Sequence, residues 1–180
     1  MAWRSKRKVM HAYNVTADIY DTRYREEQQR NYRKALESID IWGAAVLDVG
    51  CGSGMFFPQI ASKAQTVVGV DISRGLLKKA KQHLPENSHL VQADADFLPF
   101  RDGAFDAVCS FTVLQNMPKP ARTLKEIKRA ATQGGKIVIT GLKKAFPNTT
   151  FHDLIEAQGM QIIMFGDDEV VNCYVAVLTP

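Results

Sequence analysis

The chain is poor in cysteine. Cys51, Cys109 and Cys173 are its only three in 180 residues, widely separated and set in apolar or loop contexts, which excludes a disulfide framework and gives no metal-ligand spacing. They read as small core residues of a reducing compartment. No apolar run approaches the length of a membrane span. The charged N-terminus is not followed by an apolar segment, so no signal peptide is expected and the cytoplasm is the expected location. Internal repeats and low-complexity stretches are also missing. What remains, 46% hydrophobic and 23% charged residues, supplies apolar material for one core. A single domain over residues 1–180 is expected, with 1–40 as an N-terminal helical cap and 41–180 as the core.

The net charge of +4 favours an anionic partner only mildly, but its distribution is uneven. Between Lys119 and Lys144 the basic residues Lys119, Arg122, Lys125, Lys128, Arg129, Lys136, Lys143 and Lys144 face one acid, Glu126. Arg4, Lys6, Arg7 and Lys8 crowd the start. This leaves RNA or an acidic protein open as a partner. The simpler reading is a solvated helix face: Leu124 and Ile127 form a narrow inward stripe, Arg122, Lys125, Glu126 and Arg129 share the other side, and no aromatic residue interleaves the basic run.

Strand-like runs fall at about 45–50, 66–71, 88–93, 104–111, 136–142, 160–166 and 170–178, with helical segments after the first, second, fourth and fifth. Residues 12–39 read as a helix carrying Tyr24, Tyr32, Ala35, Leu36 and Ile39 inward. Such alternation builds a largely parallel sheet with helices on both faces. The last two runs are joined by Gly166-Asp167-Asp168-Glu169, too short for a parallel crossover, so an antiparallel hairpin is expected there.

The first run ends Val46-Leu47-Asp48-Val49-Gly50-Cys51-Gly52-Ser53-Gly54. Its glycines allow a sharp turn and close approach of backbone to a ligand. The helix after it should begin near Phe56 or Phe57, because Pro58 is tolerated only in a first turn. The second run, Thr66 to Asp71, places a carboxylate 17 residues beyond Gly54, where it can accept two ribose hydroxyls. Two plainer roles are weighed against these: Asp71 as a helix N-cap, and Asp48 as a cap on its own loop. A dinucleotide fingerprint would need a third glycine where Met55 stands. The third run leads into Asp94-Ala95-Asp96-Phe97-Leu98-Pro99-Phe100, and Asp102-Gly103-Ala104-Phe105-Asp106 opens the fourth.

These four segments, in this order and spacing, resemble the class I S-adenosylmethionine-dependent methyltransferases of the type 11-like family, over about residue 12 to the end. The resemblance implies a Rossmann-like α/β fold with a seven-stranded, mostly parallel sheet, helices on both faces and an antiparallel C-terminal hairpin. It implies S-adenosyl-L-methionine as cofactor and makes 41–180 the cofactor-binding core. Asp48 would orient the methionine amino group, the backbone of Gly50, Gly52 and Gly54 would lie along the cofactor, and Asp71 would hold the ribose. Ile72 would pack on the adenine, Asp94 and Ala95 would meet its polar edge, and the backbone near Ser110 would complete the amino site. Asp96 is the lesser adenine candidate. Tyr13 with Tyr20-Asp21 resembles the family's N-terminal segment.

The acceptor side is nearly silent. No Asn/Asp-Pro-Pro-Tyr/Phe follows the fourth strand, which disfavours adenine amino methylation. Gln115 stands where many relatives carry His and cannot act as a base. His11 and Tyr13 are the alternative bases; His83, His89 and His152 read as structural. Only Lys143 to Asn148 separates the fifth strand from its helix, which leaves an open cleft for a small molecule, RNA or protein, or for a partner subunit completing the site. The competing functions are an NAD-linked oxidoreductase, opposed by Met55 and the Asp94 segment, and a non-catalytic methyltransferase-like subunit, opposed by the intact acids.

Overall fold

A computed structural model describes residues 2–168 and 171–180, with the side chains of residue 2 and residues 17–24 left out, so Tyr20, Asp21, Tyr24 and Glu169 lie outside the described residues. Seven strands form one sheet: β1 Ala45–Val49, β2 Thr66–Asp71, β3 Ser88–Gln92, β4 Phe105–Ser110, β5 Ala131–Leu142, β6 Gln161–Gly166 and β7 Cys173–Thr179. Their order is β3-β2-β1-β4-β5-β7-β6. The first five pair in parallel, while β7 is antiparallel to both β5 and β6. The expected Rossmann-like sheet and its terminal hairpin are both present.

Period-two alternation divides the core. Val46, Val67, Ala107, Val138 and Val177 point to one face and meet Phe56, Phe57 and Ile60 with Tyr32 and Ala35. Leu47, Val108, Ile137 and Ile139 point to the other, where Leu124, Ile127, Phe151 and Ile155 cover them. The covering helices are α1 Ala2–Leu36, α2 Phe57–Ile60, α3 Arg74–Ala80, α4 Pro120–Ala130 and α5 Asn148–Glu156. Pro58 sits in the first turn of α2, as its missing N–H requires. Ser73 caps α3, its hydroxyl accepting from the Leu76 N–H at 3.2 Å.

Two boundaries differ from the sequence reading. The basic leader expected ahead of a helix at residue 12 is itself helical, because α1 begins at Ala2. Its first turns carry the buried, ion-paired Lys6, a contact that hydrophobic periodicity does not reveal. Strand β5 begins at Ala131, pairs with Phe105, breaks register, and resumes at Lys136 opposite Ala107. The break holds Gly134 at φ +82°.

On the face of α4 read as solvated, Arg122 and Lys125 are exposed, whereas Glu126 and Arg129 are half-buried against the loop before β4. Arg129 donates to Glu126, to Asp102 at 2.8 Å and to the carbonyls of Leu98 and Phe100. The Arg122 guanidinium lies 3.9 Å from the centre of the Phe97 ring and donates to the Asp96 carbonyl. Lys128 binds the carbonyls of Gln158 and Gly159.

Candidate active site

The strand ends converge where the parallel order reverses around β1 and β4, the usual ligand position in an open α/β sheet. A cavity of about 80 Å³ lies there. Among its lining residues are Gly50, Gly52, Asp71, Ile72, Asp94 and Ala95. Gly50 and Gly52 have φ of +78° and +56°, a region that other residues enter only with strain. A Cβ on Gly50 would lie 2.2 Å from Val113 Cγ2, so the bare backbone is also a packing requirement.

Asp71 is not the cap of α3. Its two oxygens accept from the backbone N–H groups of Gly52 at 2.9 Å and Ser73 at 2.7 Å, tying the glycine loop to the end of β2. Burial raises its pKa, opposed by the N–H groups of Ser73, Gly52 and Ile72. A carboxylate has about four acceptor positions, so two bonds leave capacity for ligand hydroxyls.

Three other predicted residues do not line this cavity. Asp48 is buried at the end of β1 and is not among the residues lining the cavity. Burial first and the charge of Asp71 second push its pKa up to about 8. Gly54 has φ +78°, and a Cβ there would press on Ala80 and Phe57, so its nearest neighbours are side chains of α3 and α2. Ser110 is fully buried and its hydroxyl has no partner.

Sequence reasoning missed Lys6. Lys6, Val9 and Tyr13, spaced three and four residues apart on α1, all line the cavity. Lys6 is 5% exposed. Its Nζ donates to both Asp94 oxygens at 2.6 and 2.8 Å and makes a further close contact with the Asp96 carboxylate. Asp96 also accepts from Thr123 Oγ1 at 2.6 Å. The adenine candidate is therefore ion-paired, and the less favoured acid is the one buried between α1 and α4. Sites for ligands of cofactor size span about 300–1,000 Å³, so the cavity has to widen to admit one, and the Lys6 side chain is among those that line it.

A second cavity, about 740 Å³, opens beyond the first and shares Tyr13, Thr112 and Asn116 with it. Thr112 is the one non-glycine residue among those described with positive φ, +56°, a strained conformation of the kind that gathers at functional sites. It is held by its N–H donating to Thr140 Oγ1 at 2.7 Å. Nothing in its local sequence marked it. Of the other sequence candidates, His83 contacts the Ser53 carbonyl at 3.1 Å and His152 packs on Phe165, and neither lines these cavities. Lys143 borders the second cavity but is paired with Asp167 at 2.6 Å and donates to the Asp168 carbonyl. Among the described residues no three His, Cys, Asp or Glu side chains cluster as a metal site, and no helix is long and apolar enough to cross a membrane.

The residues present fit a nucleoside cofactor: a bare glycine cradle, an acid at the tip of β2 and apolar walls from Val70, Ile72, Leu76 and Phe111. Comparison with known proteins points the same way. The chain is 35% identical over 131 residues to demethylmenaquinone methyltransferase of Renibacterium salmoninarum, covering 71% of this chain and 52% of that protein. It is 31% identical over 126 residues to phosphatidylethanolamine N-methyltransferase of Cereibacter sphaeroides, covering 67% and 62%. The chain thus spans roughly half to three-fifths of these relatives. In fold it is similar to a Haloferax volcanii methyltransferase solved with the Trm112 activator, with TM-score 0.81, 16% identity, and 93% and 95% of the two chains covered. A TehB-like methyltransferase of Corynebacterium glutamicum superposes with TM-score 0.76, 22% identity, and 92% and 98% covered. The model of the family described as "Methyltransferase domain" matches residues 47–139, more than half of the chain, and the chain accordingly belongs to that S-adenosylmethionine-dependent methyltransferase family.

Proposed function

We propose that the protein transfers a methyl group from S-adenosylmethionine to an acceptor in the second cavity. The observation that carries this is the meeting of Gly50, Gly52, Asp71 and Asp94 from the ends of β1, β2 and β3 around one cavity, beside a larger one. When bound, the cofactor supplies a methyl group already activated by its sulfonium. The chain's own part is then placement, which contributes about 7–11 kcal/mol in well-oriented systems.

In this reading the backbone of Gly50 and Gly52 lies along the cofactor, with Gly54 closing the turn. Asp71 accepts the ribose hydroxyls while keeping the loop tied down. Ile72 packs against the adenine, and Asp94 and the Ala95 N–H take its polar edge. Asp48, and Ser110 at the end of β4, act from behind the loop on the amino end. Residues 1–180 work as one domain, 1–40 capping the cofactor-binding core of 41–180, in the cytoplasm. The Haloferax protein of like fold, solved with an activator subunit, makes a partner chain part of the proposal. For RNA as acceptor the surface offers less than its composition suggested, because Arg122, Arg129 and Lys143 are engaged within the chain.

Calorimetric titration with S-adenosylmethionine, S-adenosylhomocysteine and NAD tests the cofactor. Transfer of labelled methyl to cell extract, fractionated into RNA, protein and small molecules, tests the activity. Binding of NAD with no binding of either adenosyl compound would reverse the assignment.

A further inference from the structure

The opening turns of α1 carry cations and no acid. Between Ala2 and Thr16 the charged residues are Arg4, Lys6, Arg7 and Lys8, and of these Lys6 alone is turned inward, against Asp94 and Asp96. Arg4, Arg7 and Lys8 are exposed, and among the described residues no carboxylate pairs with them. Their charge is open to solvent. Helical spacing places Arg4, Arg7, Lys8, His11 and Val15 within an arc of about 100°, while Lys6, Val9 and Tyr13, which line the smaller cavity, take the opposite side. One stretch of helix thus has a ligand side and a cationic outer side.

Apolar groups accompany the charge. Trp3 is 57% exposed at the margin of the outer face and Val15 is 68% exposed within it, and the two are separated by about 18 Å of straight helix. The partner that fits is anionic and offers an apolar margin. An indole suits the headgroup region of a bilayer, where an apolar body and a polar N–H are both accommodated. A nucleic-acid strand fits less well, because Val15 has no ring on which a base could stack and these side chains project from the outer surface of a helix and not from a groove.

We propose that this face of α1 docks on an anionic lipid surface, with Arg4, Arg7 and Lys8 against lipid phosphates and Trp3 and Val15 at headgroup depth. The helix lies on the bilayer and does not cross it, and no described helix is long and apolar enough to do so. Attraction of basic side chains to such a surface fades within a Debye length. The docking is therefore reversible and salt-dependent. It brings the smaller cavity close beneath the lipid surface, because the helix that touches the lipid on one side walls that cavity on the other. The inference goes beyond the methyltransferase reading and does not depend on it.

Co-sedimentation of the full chain with vesicles tests this, using phosphatidylcholine alone and phosphatidylcholine with about 30% phosphatidylglycerol. The anionic vesicles are expected to bind at least about tenfold more tightly at about 0.1 M salt, and that preference should collapse at about 1 M, where the screening length is about 3 Å. Arg7→Glu with Lys8→Glu should lower affinity for the anionic vesicles about tenfold at unchanged melting temperature. Lys63→Glu with Lys81→Glu, the same change of net charge at exposed positions elsewhere, should stay within about threefold. Trp3→Ala should weaken binding about threefold or more. If the Arg7 and Lys8 pair lowers the melting temperature, Arg4→Gln with Lys8→Gln takes its place. Equal binding to both vesicles, no sedimentation with the anionic ones, unchanged affinity in Trp3→Ala, or equal losses in the two charge-reversed pairs would each overturn the inference. Binding of a single-stranded oligouridine that Arg7→Glu with Lys8→Glu abolishes, without vesicle binding, would overturn it in favour of a nucleic acid.

Discussion

Replacing Lys6 with Met keeps most of a buried aliphatic stem and deletes the ammonium that joins α1 to Asp94 and Asp96. Removing one partner of a buried ion pair costs about 3–5 kcal/mol, because the other charge is left without compensation. The Asp94 side chain retains 17% exposure, so water recovers part of this and about 2–4 kcal/mol is the expected loss in urea unfolding at neutral pH. Affinity for S-adenosylhomocysteine should move the other way. Both Asp94 oxygens are held by Lys6 and the cavity measures about 80 Å³, so ligand entry has to displace that contact. Relief of it should tighten binding by about tenfold, or about 1.4 kcal/mol. Calorimetry on the folded variant reads the second effect independently of the first. A variant within 1 kcal/mol of wild type in stability would show that the ion pair does not hold α1 in place, and a folded variant that binds more weakly would show that Lys6 holds the ligand and does not compete with it.

Three further outcomes are expected. Asp71→Ala should weaken S-adenosylhomocysteine binding by about 1.5–3 kcal/mol and also lower the ligand-free melting temperature, since its carboxylate anchors Gly52 and Ser73; unchanged affinity in calorimetry would remove it from the ribose site. Asp48 has a folded pKa of about 8 against 3.8, so the unfolded state loses its proton first and stability should fall as pH rises through that window, by on the order of a few kcal/mol. Asp48→Asn should flatten the slope between pH 5 and pH 8 in urea unfolding. Arg129→Ala should destabilise by about 1.5–3 kcal/mol through its lost bonds to Glu126, Asp102 and two carbonyls, while Lys125→Ala on the same helix stays within about 0.5 kcal/mol.

The parts of the molecule legible in the sequence are those dictated by neighbours in the chain. Gly50 and Gly52 announce a positive-φ turn because little else tolerates one, and alternation of Val46 with Leu47 or Ile137 with Val138 announces two-sided burial in a strand. Pro58 fixed the start of α2 by the donor it lacks. The rest depends on partners far away in sequence. Lys6 meets Asp94 across 88 positions and Gln28 meets Thr112 across 84, and nothing local distinguishes that lysine from Arg7 or Lys8. Arg129 looked solvent-facing because helix periodicity records only the inward stripe, whereas the loop from Leu98 to Asp102 folds back over the outer one. Gly54 satisfied the glycine spacing, yet its neighbours are Ala80 and Phe57.

Helix α1 runs without interruption from Ala2 to Leu36, with Lys6 against the smaller cavity and Gln28 against the larger. Twenty-two residues of helix make a rod of about 33 Å between them. If admitting a ligand at the smaller cavity moves this helix along its axis, Gln28 moves with it and the two sites become linked equilibria. Whatever factor the first ligand imposes on the affinity of the second, the second must impose on the first.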